Sequence, residues 1–256
     1  IGDGELFATF GTSAWIGATT TKPFLDDQKT LFCFAHVIPG RYMPCGTMQA
    51  AGSSYSYIKD TLLKEEAEEA LRQGKDPYAA LNDLLPLSPV GAKGLLFLPY
   101  LMGERCPRWN PHARGAFIGI TMEHGREDYL RAVLEGVALN LNVILDAYRS
   151  YFSVQEMILT GGGARGDGLT HILCDVMNVS LRRPDHVEEA TSIGAAVTAG
   201  VGVGLLKDFG EVRRFLKFSD AVTPDPQNVR RYDALKPLFE ESYSALTKVF
   251  DGLSSL

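Results

Sequence analysis

The feature that most constrains this chain is the order of its segments. Short strands joined by tight turns come first, and strict alternation of strand and helix follows. Residues 5–10, 14–19 and 31–38 are rich in apolar, aromatic and β-branched side chains and predict strands. The turn Gly11-Thr12-Ser13 joins the first two as a hairpin. Residues 155–160 predict another strand, Gly161-Gly162-Gly163 a turn and residues 167–177 a helix. A strand at 179–182 and a helix at 190–206 complete the alternation. A meander followed by β/α alternation predicts an α/β domain, a mixed sheet flanked by helices.

The middle of the chain reads less regularly. Pro44-Cys45-Gly46 breaks the strand pattern, and residues 47–63 predict a helix with Ala51, Tyr55, Ile58 and Leu62 on one face. The charged run at 64–75 predicts a solvated face. Residues 76–85 predict a short helix, 94–100 a buried strand and 116–121 a further strand. The loop at 103–115 holds Glu104 and Arg105, which either pair with each other or face a cleft. The longest helix is expected over 126–151, with Glu135 a buried, paired carboxylate on it. A last helix is expected over 227–250, behind Pro224-Asp225-Pro226.

Composition removes several classes of function. The 256 residues are 45% hydrophobic and 22% charged, which excludes a disordered or fibrous chain. A net charge of -6 with no Lys/Arg block argues against nucleic acid and anionic membranes as partners. The longest apolar run, at 193–206, is shorter than the roughly 20 residues of a membrane span. Cys33, Cys45, Cys106 and Cys174 are scattered and form no C-x-x-C, so they predict reduced thiols in a cytoplasmic protein. The five histidines show no metal-ligand spacing. The chain opens on Ile1 rather than Met, which suggests a piece of a longer protein.

Three glycine-centred turns are candidates for holding phosphate. Gly11-Thr12-Ser13 combines tight backbone with two hydroxyls, and exposed N–H groups in such turns attract anionic oxygens. Gly161-Gly162-Gly163-Ala164 follows an apolar strand and opens a helix, a second anion-binding arrangement. Gly52, inside a predicted helix, permits close approach of a ligand or another backbone. Gly161, Gly163 and Gly166 also spell G-x-G-x-x-G, with Asp185 near the place of a ribose-binding acid. That spelling keeps a nicotinamide-dependent oxidoreductase as an alternative, although the motif comes late, after a meander. No G-x-x-x-x-G-K-[ST] occurs, which excludes a P-loop NTPase.

Taken together, these motifs resemble the C-terminal domain of the FGGY carbohydrate kinases. The resemblance rests on Phe10-Gly11-Thr12-Ser13, Gly94-Leu-Leu-Phe-Leu-Pro-Tyr-Leu-Met-Gly-Glu-Arg105 and Ala113-Arg114-Gly115-Ala-Phe-Ile-Gly119. It continues through Arg131-Ala-Val-Leu-Glu-Gly136, Gly161-Gly-Gly-Ala164 and Gly194-Ala-Ala196, and closes with Pro224-Asp225-Pro226 and Tyr232. The blocks run in family order over nearly the whole chain, and their wording is most like the xylulokinase branch. The resemblance implies an actin-like, ribonuclease-H-like ATPase domain spanning residues 1–256. It implies a parent enzyme that transfers phosphate from ATP to a ketose such as D-xylulose, giving ADP. By the same resemblance Thr12, with Gly11 and Ser13, holds the transferring phosphate. Gly52 and Ser56 line the nucleotide. Gly162, Gly163 and Ala164 wrap its α-phosphate and adenosine side, and Asp167 lies near adenine or ribose. Some relatives carry Asn at that last place, so Asp removes a donor. Mg²⁺ is expected to be held mainly through the nucleotide phosphates.

The family's chemistry also needs an Asp to take the sugar hydroxyl's proton. In relatives that Asp lies further ahead of the hairpin than this chain extends. Asp3, the nearest stand-in, reads as part of a turn. The expectation is therefore half of a kinase, without the catalytic base or the N-terminal sugar-binding domain. That domain, ATP or ADP, and the sugar it carries would be its partners. A stand-alone, non-catalytic nucleotide-binding module is the remaining alternative. Oligomeric state is open, a homodimer among the options.

Overall fold

Residues 6–10 alternate buried and half-exposed side chains, with Leu6, Ala8 and Phe10 turned into the core. That period of two makes one face of a strand apolar. In the computed structural model, which describes every residue except 1, 3, 25 and 27, this strand is β1 (Leu6–Phe10). It pairs antiparallel with β2 (Ala14–Ala18) across the Gly11–Ser13 hairpin. β3 (Phe32–Ala35) and β4 (Tyr42–Met48) extend the meander, β4 lying between β3 and β2. Asp3 falls outside the described residues.

The strand β4 corrects the sequence expectation. Pro44 and Gly46 stand inside it, where a break and then a helix were predicted. Two local facts make them tolerable. The buried Tyr148 hydroxyl sits 2.9 Å from the Pro44 carbonyl and 2.8 Å from that of Ile16 on β2. A Cβ on Gly46 would come 2.4 Å from Ile144 Cγ2, so glycine lets the helix at 126–149 pack directly on the strand. That helix, expected to be the longest, is not: the last one, at 226–254, is longer. The helix expected from residue 47 is α1 (Gly52–Asp60). The charged run folds as α2 (Lys64–Arg72), buried only through Ala67 and Ala70. α3 (Pro77–Asn82) follows, capped by the Asp76 carboxylate on the Tyr78 N–H at 3.0 Å.

The predicted strand at 94–100 is shorter in the structure. β5 (Leu96–Leu98) leaves the main sheet and pairs only with β6 (Ala116–Ile118) in a two-stranded ribbon. α4 (Arg126–Arg149) is the axis of the core. It crosses β2 and β4 and packs beside α1 and β5. Glu135 on α4 is buried and accepts from the Gly91 N–H at 2.9 Å and the Tyr232 hydroxyl at 2.8 Å, with Arg131 at 3.4 Å.

The remainder follows the predicted alternation: β7 (Glu156–Thr160), α5 (Asp167–Met177), β8 (Ser180–Arg182), α6 (Ala190–Gly202) and α7 (Pro226–Ser254). The main sheet has the order β3-β4-β2-β1-β7-β8. Its first four strands are mutually antiparallel, while β1, β7 and β8 run parallel. The sheet is thus mixed, as expected, with α4 over its buried face and α1 and α5 packed against α4. Among the described residues no helix is long and apolar enough to cross a membrane, and the four cysteines are free thiols.

Candidate functional site

The parallel pairing of β1 with β7 places two of the glycine turns side by side. Thr9 is opposite Thr160, so the chain leaves both strands at the same edge of the sheet. The two threonine hydroxyls meet at 2.9 Å and lock that register. The hairpin 11–13 and the turn 161–163 therefore share one rim. In open α/β sheets the rim beyond the carboxyl ends of parallel strands is where ligands are held.

The third turn arrives through β4. Ala14 of β2 pairs with Met48, so the chain emerging from β4 enters α1 beside the hairpin. The first N–H groups of α1 are not left over. Ala51 and Ser53 donate to the Thr12 carbonyl at 3.1 and 3.0 Å, and Gly52 donates to the Gly11 carbonyl at 3.0 Å. The helix start thus clamps the hairpin by its carbonyls and turns the opposite side of the hairpin outward.

Gly52 is not an interior helix residue, as its sequence context suggested. It opens α1, and a Cβ there would lie 2.4 Å from the Gly11 carbonyl oxygen. A Cβ on Gly163 would lie 2.2 Å from Phe10 Cδ1. Gly163 is therefore small because it lies against the ring under the hairpin. Gly161 has φ +88, and its missing side chain makes room for the Phe10 carbonyl. Three turns converge on Phe10–Thr12.

Among the described residues, four backbone N–H groups on this rim find no hydrogen-bond acceptor: those of Thr12, Ser13, Gly162 and Gly163. Thr12, Ser13 and Gly162 are exposed and Gly163 is half-buried. Ala164 is 1% exposed, so only its backbone faces the rim. Unpaired N–H groups that share one exposed, glycine-lined rim suit anionic oxygens. The exposed hydroxyls of Thr12 and Ser13 add donors. Among the described residues no group of three His, Cys, Asp or Glu side chains is placed to hold a metal ion.

Ser56 and Asp167, the other two predicted site residues, lie at the margin. Ser56 is one turn along α1, its Oγ 2.8 Å from the Tyr78 hydroxyl. Asp167 opens α5, is exposed, and pairs with Arg183 at 2.8 Å. Arg183 also donates to the Ala164 carbonyl at 2.9 Å, tying this margin to the glycine turn. Asp185 accepts from the Lys217 N–H at 2.9 Å, a backbone contact that occupies one of its oxygens.

Glu104 supports the site from below. It does not pair with the Arg105 side chain. Its Oε1 accepts from the Gln49 N–H at 2.9 Å and the Arg105 N–H at 3.0 Å, and its Oε2 from Asn140 at 3.2 Å. Gln49 is two residues before Ala51, so this carboxyl fixes the entry to α1. The residue is 2% exposed, and burial pushes its pKa up to about 7 against those three hydrogen bonds. The folded state therefore keeps a proton that the unfolded chain releases near the usual carboxylate pKa. This group's contribution to stability is present below that pKa and falls as pH rises toward 7, by on the order of 3 kcal/mol, then is flat. Glu104→Gln is expected to remove that slope. Denaturation curves at pH 5, 6, 7 and 8 check it, and parallel profiles for the two proteins would contradict it.

Residues 6–203 match the model of the FGGY family of carbohydrate kinases, C-terminal domain. A gluconokinase of Bacillus licheniformis is 32% identical over 261 residues, covering 98% of this chain and 50% of its own. A xylulose kinase of Staphylococcus epidermidis is 32% identical over 245 residues, covering 95% of this chain and 47% of its own. The crystal structure of ligand-bound xylulose kinase from Lactobacillus acidophilus superposes with a TM-score of 0.85 at 25% identity, over 98% of this chain and 49% of that one. The chain spans about half the length of the curated relatives it matches.

Proposed function

Because this chain belongs to the FGGY family of carbohydrate kinases, we propose that its 256 residues are the ATP-binding half of a sugar kinase. Its mixed sheet and covering helices are an actin-like ATPase domain. The observation that carries the proposal is the set of four unpaired N–H groups, on Thr12, Ser13, Gly162 and Gly163, at the rim where three turns meet.

ATP supplies the phosphoryl group. Within this chain, the amides and hydroxyls of Thr12 and Ser13 would hold the transferring end of the triphosphate. The amides of Gly162 and Gly163 would hold the inner phosphates. Such transfer depends on positioning and charge stabilisation more than on covalent participation by the protein. The clamp of α1 on the hairpin keeps those donors fixed before the nucleotide arrives. Mg²⁺ would be carried on the phosphates.

Proton removal and most sugar contacts are assigned to a companion domain, of the kind that would fill the other half of the relatives' length. Without it the 256 residues are proposed to bind nucleotide but not to transfer phosphate. A ketose such as D-xylulose is the proposed acceptor. The relatives carry both xylulose kinase and gluconokinase names, so gluconate is the competitor to assay beside it. The setting proposed is the cytoplasm.

Calorimetric titration with Mg·ATP tests the site. Thr12→Ala is expected to weaken binding by about 10-fold, the loss of one hydrogen bond to a charged oxygen. Equal affinity in a folded variant would remove Thr12 from the site.

A further inference from the structure

A chain of hydrogen bonds runs through the core from α7 to the entry of α1. Glu240 on α7 grips the Arg108 guanidinium with both carboxylate oxygens, Oε2 accepting from Nη1 at 2.9 Å. The guanidinium also lies over the Tyr243 ring, 4.3 Å from its centre. Arg108 Nε donates to the Tyr100 hydroxyl at 2.9 Å, and that hydroxyl is 3.1 Å from Asn140 Oδ1 on α4. Asn140 Nδ2 donates to Glu104 Oε2 at 3.2 Å, and Glu104 Oε1 accepts from the Gln49 N–H. Tyr100 and Asn140 are fully buried. Glu240 lies beyond residues 6–203, the stretch that matches the family model.

The first member fixes the direction of every bond that follows. A guanidinium has only donors, so the Tyr100 oxygen accepts from it and the Tyr100 hydrogen goes to Asn140 Oδ1. Burial keeps this phenol protonated, so the hydrogen is present. With its oxygen occupied, the Asn140 amide presents its nitrogen to Glu104. Glu104 Oε2 is then obliged to accept, as Oε1 already does from the N–H groups of Gln49 and Arg105. Gln49 leads into residues 51–53, whose N–H groups hold the hairpin carbonyls. The orientation of one core amide is thereby coupled to the placement of Thr12 and Ser13.

We propose that Tyr100 and Asn140 are positioning residues for the nucleotide's phosphates: they hold Glu104 with both oxygens as acceptors, and Glu104 holds the start of α1 against the hairpin. This rests on the phosphate rim proposed above. Neither residue touches the nucleotide. An amide present for packing alone would tolerate an isosteric replacement. Here its donor and acceptor ends matter, because a wrong end sets two donors or two acceptors face to face inside the core.

The test is titration of Mg·ATP into wild-type protein, Asn140→Asp, Glu104→Gln, the double variant of these two, and Tyr100→Phe, with folding confirmed by thermal melting. Asn140→Asp sets an acceptor against Glu104, and Glu104→Gln sets an amide donor against Asn140 Nδ2. Each single change is expected to weaken binding about 5- to 20-fold. In the double variant the new amide at 104 donates to the new carboxylate at 140, and its oxygen still accepts from Gln49. Its affinity is expected to return to within about 2-fold of the wild type, a recovery that loss of packing would not give. Tyr100→Phe frees the Asn140 amide to turn, and is expected to weaken binding about 3- to 10-fold. Losses that multiply in the double variant would overturn the positioning role and leave the phosphate rim standing. So would wild-type affinity in folded Tyr100→Phe, which decides alone if a single variant at 104 or 140 fails to fold. Wild-type protein that binds no Mg·ATP would overturn the rim, and the positioning role with it.

Discussion

Gly52→Ala is expected to weaken Mg·ATP binding about 10- to 100-fold in a chain that still folds. The added methyl would stand 2.4 Å from the Gly11 carbonyl oxygen, 3.1 Å from its carbon and 3.5 Å from Thr12 Cα. All three are backbone atoms, so no side chain can rotate away. Either the hairpin lifts or α1 shifts, by nearly 1 Å. Both movements break the bonds from Ala51, Gly52 and Ser53 to the hairpin carbonyls and re-aim the Thr12 and Ser13 amides. Overpacking of this kind costs about 1–3 kcal/mol, which corresponds to that range of affinity and to a fall in Tm of about 3–10 °C. Titration and thermal melting of the same sample check both numbers. Wild-type affinity would mean that the hairpin is not the nucleotide's phosphate contact.

Gly163→Val is expected to have the largest effect on stability and to abolish nucleotide binding. A Cβ at this position meets Phe10 Cδ1 at 2.2 Å and Cγ at 2.7 Å. The Phe10 ring is 2% exposed, at the centre of the core, and has nowhere to turn. Valine adds a second branch at the point of contact. The expected cost is about 3 kcal/mol or more, a fall in Tm of about 6–12 °C. Gly162→Ala is the control. The nearest atom to its Cβ is the far end of Glu188 at 3.4 Å, an ordinary contact that a flexible side chain can relieve. Its stability is expected to match the wild type. Two adjacent glycines with equal sensitivity would show that the turn, rather than its contact with Phe10, sets the requirement.

The same residues show what a sequence reveals and what it hides. The hairpin at 11–13 and the succession β7, turn, α5, β8 were legible because Gly and Ser/Thr punctuate clean apolar runs. β4 was hidden because Pro44 and Gly46 usually end strands. Here a tyrosine hydroxyl from α4 and the close approach of Ile144 accommodate them. Residues 94–100 read as a buried strand, with no partner strand assigned. Periodicity reports the element, but the partner strand is set by the tertiary fold, and theirs is 116–118. Seven of the nine expected site residues meet at one rim, while Ser56 and Asp167 engage Tyr78 and Arg183 at its margin. Glu104 was visible as a charge in a loop. Its bond to the Gln49 amide, 55 positions away in sequence, was not.

Three turns, distant in sequence, are proposed to act as one phosphate site. Hydrogen exchange with and without Mg·ATP tests it most directly. The amides of Thr12, Ser13, Gly162 and Gly163 are expected to slow together at the same nucleotide concentration. Protection of one turn alone, or of none in a chain that binds ATP, would contradict it.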